Sequence, residues 1–150
     1  MTFHKLLIAN RGEIACRIIK TAHEMGISCV AVYTEADTYS PFVRMADQSI
    51  KLSDSYLNGD EIINAAKQTG AEAIHPGYGF LSENAKFARA VQREGLIWVG
   101  PNSRVITSMG DKLKAKDIAE KAGVPTLPMT TDPKKANSIG YPILIKAAAG

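Results

Sequence analysis

The sequence predicts an α/β fold in which a mainly parallel sheet is flanked by helices. Short apolar runs alternate with longer amphipathic runs along most of the 150 residues, which is the order expected when a crossover helix follows each strand. Glycine and proline separate the runs and mark the turns. The composition, 45% apolar and 22% charged, is that of an average water-soluble globular protein.

The predicted strands are short apolar segments bounded by turn residues. The first two, 5–9 and 28–33, enclose an amphipathic helix over 12–25 and complete one β-α-β unit. A turn-rich stretch, 34–41, leads to the rest of the pattern. The remaining strands of this part are predicted at 48–52, 71–75 and 96–99, and the helices at 60–69 and from Ser82, as N-cap, to 94.

The pattern changes after Pro101. Two consecutive helices are predicted at 103–109 and 112–122, broken at Gly110, and a non-helical link follows at 124–128. A short helix at 132–139 and a strand at 142–146 complete the chain. We therefore predict a domain boundary in the link, with residues 1–125 in the first domain and 126–150 in the second.

Charge and apolar patterning exclude several classes of function. The net charge of +3 is spread along the chain, and its one lysine cluster, at 112–116, is flanked by aspartates as on a solvated helix face, so we predict no nucleic-acid partner. No uncharged stretch is long enough to span a bilayer, and the N-terminal apolar run is too short for a signal peptide. Cys16 and Cys29 lie in apolar patterns typical of buried free thiols, although pairing stays open. A cytoplasmic location is predicted, or the mitochondrial matrix if a transit peptide has been removed.

Two turns after predicted strands could bind a ligand. The turn 10–13 (Asn-Arg-Gly-Glu) precedes a helix N-terminus, where free N–H groups can hold an anion; the alternative is a tight turn in which Glu13 complements the helix dipole. The turn 75–82 (His-Pro-Gly-Tyr-Gly-Phe-Leu-Ser) imitates a dinucleotide fingerprint with serine in its last place. His75 there is either a base or, as we favour, a hydrogen-bonded structural residue.

Two lysines are placed where phosphate could bind. Lys112 opens a predicted helix, and Lys146 ends an apolar strand just before a run of small residues. Surface lysine is the alternative for both. The sequence has no Cys-x-x-Cys, His-Glu-x-x-His or Gly-x-Ser-x-Gly motif, and His4 and His23 have no evident partners, so we predict neither a metal site nor a hydrolase nucleophile.

Four ordered motifs together resemble the biotin carboxylase family. They are 8–15 (Ile-Ala-Asn-Arg-Gly-Glu-Ile-Ala), 75–84, 109–112 (Met-Gly-Asp-Lys), and 140–142 (Gly-Tyr-Pro) leading to Lys146. They cover the whole chain in the family's order. The family includes a separate bacterial subunit and the front ends of acetyl-, propionyl- and methylcrotonyl-CoA carboxylases and of pyruvate carboxylase.

The resemblance implies an ATP-grasp ligase. In this family ATP activates bicarbonate as carboxyphosphate, and the carboxyl group moves to a ureido nitrogen of biotin on a carrier protein. Residues 1–125 would be the Rossmann-like domain that precedes the ATP-grasp domain, and 126–150 the beginning of that domain. The residues that hold magnesium and bicarbonate, and the catalytic residues, are expected beyond Gly150, so we do not expect the 150-residue piece to turn over.

The resemblance also implies roles for particular residues. Lys112 and Lys146 match nucleotide-contacting lysines, so ATP is the expected ligand of both. Tyr78, Gly79 and Glu83 match positions near biotin. A homodimer interface is expected at Arg17, Lys20 and Glu24, although Lys20 stands where the bacterial subunit often has arginine, which puts a bidentate pair in doubt. The connection 52–56 is shorter than in many relatives, which should alter a surface loop only. The partners that the resemblance implies are a biotin carrier protein and a carboxyltransferase.

Two other classes of function remain open from the residues. Gly77 and Gly79 could belong to an NAD(P)-binding oxidoreductase domain, but this requires an acidic residue about 20 positions on, where only Glu94 stands. The third hypothesis is a noncatalytic module that dimerises through the first helix. The acyl-CoA or keto acid that finally receives the carboxyl group is not specified by this sequence.

Overall fold

The computed structural model describes residues 2–145, and the chain divides into two compact units, Met1–Ile106 and Thr107–Gly150. A five-stranded parallel sheet forms the first unit, in the order β3-β2-β1-β4-β5. The predicted α/β fold is confirmed. The strands are β1 (Lys5–Ile8), β2 (Ser28–Tyr33), β3 (Gln48–Lys51), β4 (Ala73–His75) and β5 (Ile97–Trp98).

Helices connect successive strands of this sheet. α1 (Gly12–Glu24) lies between β1 and β2, and a 3₁₀ turn (Glu35–Asp37) and α2 (Pro41–Met45) lie between β2 and β3. α2, with its proline in the first turn, was not predicted. The other helices are α3 (Gly59–Thr69), α4 (Ala85–Arg93), α5 (Ser103–Gly110) and α6 (Lys112–Lys121).

Both faces of the sheet are covered at β1 and β2, which explains why these two strands read as continuous apolar runs. Along β1, Leu7 packs into one core with α3 and α4, whereas Leu6 and Ile8 point into the other core with α1 and α2. The strand pleat produces this alternation. The sheet is therefore a rigid base for the loops at its edge.

The strand order reverses between β1 and β4. Loops that leave neighbouring parallel strands in opposite directions open a crevice at the carboxyl edge of the sheet, and ligands of open α/β sheets bind there. In this chain the crevice lies between the loop after β1 and the loop after β4. These are the two turns that the sequence analysis selected.

One predicted helix start is wrong. α4 begins at Ala85, and its N-cap is Asn84, whose Oδ1 accepts hydrogen bonds from the N–H groups of Lys86 and Phe87 at 3.0 Å each. Ser82 instead lies in the preceding turn, where its N–H donates to the Gly79 carbonyl at 2.9 Å. Serine and asparagine are both favoured at N-caps. Because the glycine turn extends through Ser82, the helix begins later and Asn84 is its cap.

Over residues 107–145 the regular secondary structure of the second unit is helical, with irregular segments between the helices. Asp111 caps α6, and Asp132 caps a 3₁₀ turn (Pro133–Ser138) where a short helix was predicted. The strand predicted at 142–146 is not formed over 142–145, because no strand of the described chain pairs with this segment; Lys146 lies outside the described residues. The division after Ile106 precedes the predicted link at 124–128, and the two predicted domains stay predictions. No helix within residues 2–145 has the length and apolarity that a membrane crossing requires.

Candidate functional site

An open cleft of about 340 Å³ lies at the carboxyl edge of the sheet, between the loops that follow β1 and β4. Residues 10–14 line one side, and residues 78–80 line the other. This switch-point cleft coincides with the crevice that the strand order creates. It is the candidate functional site of the first unit.

The side chain of Asn10 joins the two sides of the switch-point cleft. Its Nδ2 donates to the carbonyl oxygens of Pro76 and Tyr78 at 2.7 Å each, and its Oδ1 accepts from the Arg11 N–H at 2.9 Å. Asn10 is buried, so these bonds satisfy groups that would otherwise be costly to bury. The amide therefore fixes the distance between the two loops.

Glycine is required in the second loop for two different reasons. Gly77 has φ +64°, and a Cβ there would lie 2.7 Å from Asn10 Nδ2, so both conformation and space exclude a side chain. Gly79 has the same φ, but a Cβ there would meet nothing within 4 Å. The missing side chain at Gly79 thus leaves backbone exposed to the cleft, where a ligand can approach it closely.

Tyr78 and Glu13 are bonded to each other across the cleft. The Tyr78 hydroxyl donates to Glu13 Oε1 at 2.7 Å, and this bond raises the pKa of the exposed Tyr78 phenol. Glu13 is therefore more than a residue that complements the dipole of α1. The pair places one carboxylate and one aromatic ring at the rim of the site.

A buried carboxylate supports the base of the cleft. Arg11 Nε and Nη2 donate to the two oxygens of Asp37 at 2.6 Å each, and the Tyr56 hydroxyl donates to Asp37 Oδ2 at 2.7 Å. The Arg11 bonds lower the pKa of Asp37 to about 2, whereas burial and then the bond to Asp37 raise the pKa of Tyr56 to about 12. The Phe80 ring stacks on Tyr56 with 5.3 Å between centroids, so the network extends to the cleft wall.

His75 has the structural role that the sequence analysis favoured. Its Nδ1 accepts the Gly77 N–H at 3.0 Å, and burial lowers the pKa of the imidazole. A neutral ring with an accepting Nδ1 must carry its proton on Nε2. The histidine therefore shapes the glycine turn and is not poised as a base toward the cleft.

Two further predicted site residues, Lys112 and Glu83, are exposed. Lys112 is exposed as the first residue of α6, and the Asp111 carboxylate already accepts the N–H groups of Leu113 and Lys114 at 3.0 and 3.1 Å. These N–H groups are therefore occupied. Glu83 is exposed in the turn before α4.

The three predicted interface residues are all exposed on α1. Arg17, Lys20 and Glu24 share the helix with Ala15 and Ile19, which are buried against the sheet. The helix therefore presents a charged surface to solvent and an apolar surface to the core, as its periodicity indicates. Whether a second chain binds this surface stays a prediction.

Two partnerships escaped the sequence analysis. Asp37 lies 26 residues from Arg11, and no motif signals that bond. The prediction that His23 lacks a partner is wrong, because its Nε2 lies 2.9 Å from Asp47 Oδ2, 24 residues away. Pairings at such separations depend on how the strands assemble and leave no local pattern.

A parallel sheet of this order, with a cleft at its switch point, defines a Rossmann-like domain. Comparison with known proteins is more specific. Residues 2–106 match the biotin carboxylase N-terminal domain, and the chain belongs to the biotin carboxylase family. The matched range ends where the first compact unit ends.

Relatives of known sequence and structure agree. The propionyl-CoA carboxylase alpha chain of Ruegeria pomeroyi is 51% identical over 99% of this chain and 24% of its own length, and the methylcrotonoyl-CoA carboxylase subunit alpha of Dictyostelium discoideum is 53% identical over 97% and 23%. The biotin carboxylase domain dimer of Hydrogenobacter thermophilus 2-oxoglutarate carboxylase, solved with MgADP, ADP and bicarbonate, has a TM-score of 0.89 and 46% identity, covering 100% of this chain and 36% of that one. The chain thus spans about a quarter of the length of the first two relatives. The oxidoreductase alternative is not favoured.

Proposed function

We propose that this chain supplies the N-terminal wall of the active site of an ATP-dependent biotin carboxylase, and that the switch-point cleft receives biotin. The observation that carries the proposal is the position of Tyr78 and Gly79. They line a cleft where ligands of this sheet type bind, and they are the two cleft-lining residues that match the family's biotin side.

The chemistry of the cleft suits a flat bicyclic ligand with one polar edge. The rings of Tyr78 and Phe80 offer apolar surface, while the open backbone at Gly79 and the Glu13 carboxylate offer hydrogen-bonding groups. A ureido group carries one acceptor oxygen and two N–H donors. Its oxygen could accept from a backbone N–H, and its N–H groups could donate to a carbonyl or a carboxylate. Glu83, outside the lining, would act only at the edge of the site.

ATP would be bound by the second unit. Lys112, exposed at the start of α6, and Lys146 would place positive charge against phosphate oxygens or donate to the adenine. Magnesium, bicarbonate and the catalytic residues would be held by other parts of the carboxylase. The nucleotide and bicarbonate in the H. thermophilus structure support this choice of ligands, and the carboxyl group would pass from activated bicarbonate to a ureido nitrogen of carrier-borne biotin.

The proposed partners follow from the same family. A biotin carrier and a carboxyltransferase would complete the reaction, in the cytoplasm or the mitochondrial matrix. A homodimer through α1 is supported by the dimer of the H. thermophilus domain and by the exposed charges of Arg17, Lys20 and Glu24.

A chimera tests the proposal directly. The chain aligns with 100% of its length to the H. thermophilus domain, so it can replace the corresponding residues of that carboxylase. We expect the chimera to hydrolyse ATP in a biotin-dependent manner. In it, Gly79→Val should raise the KM for free biotin at least roughly tenfold, because a side chain would enter the cleft at a positive φ, and leave the KM for ATP unchanged.

The nucleotide side has its own matched pair of variants. Lys112→Met should raise the KM for ATP, whereas Lys114→Met, which removes an exposed lysine of the same helix, should not. A chimera that folds but hydrolyses ATP equally with and without biotin would refute the proposal. Tight binding of NADH by the chain would instead support the oxidoreductase alternative.

A further inference from the structure

A second cluster of reactive side chains lies at the amino-terminal ends of β2 and β3, whereas the switch-point cleft lies at the carboxyl edge of the sheet. His23 in the last turn of α1, Cys29 in β2 and Asp47 just before β3 each offer one donor atom, and these atoms all lie within 4.8 Å of one another. The sequence separates Asp47 from Cys29 by 18 positions and from His23 by 24. Only the pairing of β2 with β3 and the return of α1 over the sheet bring them together.

We propose that His23, Cys29 and Asp47 form a binding site for a borderline-soft divalent transition metal ion, zinc above all, with solvent in the remaining coordination position. Imidazole, thiolate and carboxylate are the three protein ligand types of zinc, and a thiolate disfavours magnesium and calcium. Three protein ligands with one open position is a common arrangement at zinc.

Two of the three ligands are already fixed relative to each other. The Asp47 N–H donates to the Cys29 carbonyl at 3.0 Å, and the Cys29 N–H donates to Asp47 Oδ2 at 2.7 Å. The second bond orients the carboxylate, as outer hydrogen bonds do at metal centres. A metal ion would therefore find the Asp47 carboxylate in place, and the Cys29 thiol, which donates to the Ile27 carbonyl at 3.7 Å, would give up that bond on binding.

His23 completes the site from the helix. Its Nε2 lies 2.9 Å from Asp47 Oδ2, whereas ligand atoms around tetrahedral zinc, with bonds of about 2.0–2.1 Å to nitrogen and oxygen, stand about 3.3 Å apart. A widening of about 0.4 Å is required. The side chains of His23 and Asp47 are 40% and 48% exposed, so they can move by this amount and admit the ion from solvent.

The thiol lies at the buried end of the cluster. Cys29 is fully buried, and burial, with a contribution from Asp47, raises the pKa of its thiol to about 11. At neutral pH the metal-free site thus holds a protonated thiol. Binding forms a metal–sulfur bond, breaks the S–H bond and releases one proton to solvent, while the electron pair stays on sulfur.

Cobalt(II) is the most direct probe, because thiolate ligation gives it a near-ultraviolet charge-transfer band. The chain, prepared without a histidine tag, should bind one Co²⁺ with this band, and Zn²⁺ should displace it. His23→Ala and Asp47→Asn should each weaken Zn²⁺ binding by about 100-fold or more, since even loss of an outer hydrogen bond costs about 10–100-fold. Cys29→Ser should remove the band.

Matched controls come from the same chain. Cys16→Ser removes the other thiol, and His4→Ala removes a histidine outside the cluster; neither should change the band or the affinity. Because Cys29 is fully buried, circular dichroism must first show that Cys29→Ser folds. If Cys29→Ser does not fold, the Zn²⁺ affinity of His23→Ala, which changes a half-exposed residue, tests the proposal. Absence of the band in the wild-type chain, its persistence in Cys29→Ser, or equal Zn²⁺ affinity of His23→Ala and wild type would overturn the proposal.

Discussion

The two compact units of the chain are stabilised in different ways. In the first unit both faces of the sheet are packed, and the buried core extends as far as Ile106. Among residues 107–145, none is buried, and large apolar side chains such as Leu127 and Leu144 are 86% and 78% exposed. Burial of apolar surface is the main source of stability, so the first unit should supply its own and the second should not.

What holds the second unit together is local. α6 is capped by Asp111, and its side chains form i,i+4 ion pairs, Lys116 with Glu120 and Lys121 with Asp117. Ion pairs of this kind stabilise a helix only slightly, because water and salt screen them. The comparison teaches that the cleft loops of the first unit are anchored to a packed sheet, whereas Lys112 lies on a helix that has no buried residue.

The largest expected effect comes from comparing the truncation of a buried leucine in the first unit with that of an exposed leucine in the second. Leu7→Ala in β1 removes a fully buried side chain and should lower the free energy of unfolding by about 3–5 kcal/mol. Leu127→Ala removes an exposed one and should change it by less than about 0.5 kcal/mol. Urea denaturation followed by the fluorescence of Trp98, which lies in β5, measures the first effect, and circular dichroism, which also reports on the helices of the second unit, measures the second. Equal effects would contradict the comparison.

The second prediction concerns the carboxylate beneath the cleft. Because the pKa of Asp37 is lowered from 3.8 to about 2, its ionised form should stabilise the first unit by about 2 kcal/mol. A lowered folded-state pKa gives stability that is present above pH 3.8 and is lost as the pH falls toward 2. Asp37→Asn should therefore be less stable than wild type at pH 7, and the difference should shrink between pH 4 and pH 2.

Ser40→Ala is a suitable control for Asp37→Asn. It removes only the longest of the bonds to Asp37, at 3.1 Å, so it should preserve most of the acid dependence. If the difference between wild type and Asp37→Asn were constant from pH 7 to pH 2, the Arg11–Asp37 pair would not be the source of this stability. The same urea titration, repeated at each pH, supplies both answers.

Sequence reasoning succeeded where the pattern was apolar and periodic. The run 28–33 was predicted as a strand and is β2, because a parallel strand covered on both faces leaves an uninterrupted apolar segment. It failed at 142–146, where an equally apolar segment has no partner strand over its described part. Apolar character identifies a segment that can be buried, but strand formation also requires a neighbour.

The candidate site was predictable to the same degree. Both cleft loops could be predicted from their glycines, because positive φ values and close backbone approach favour glycine, which is visible in the sequence. The Asp37 network and the His23–Asp47 pair left none, because their members lie 19 to 26 residues apart and meet only through strand order. A search for local metal motifs therefore could not find the cluster at Cys29.

The smallest expected effect compares one helix cap from each unit. Asn84→Ala removes the cap of α4, whose Phe87 packs edge-on against Trp98 at 5.6 Å, and should lower the stability measured by Trp98 fluorescence by about 1 kcal/mol. Asp111→Ala removes the cap of α6 and should leave that transition unchanged while amide hydrogen exchange in α6 becomes faster. Asn84→Asp retains a capping oxygen and should restore the first unit. If Asp111→Ala lowered the Trp98 transition as much as Asn84→Ala, the stability of the two units would not be separable in the way that their burial indicates.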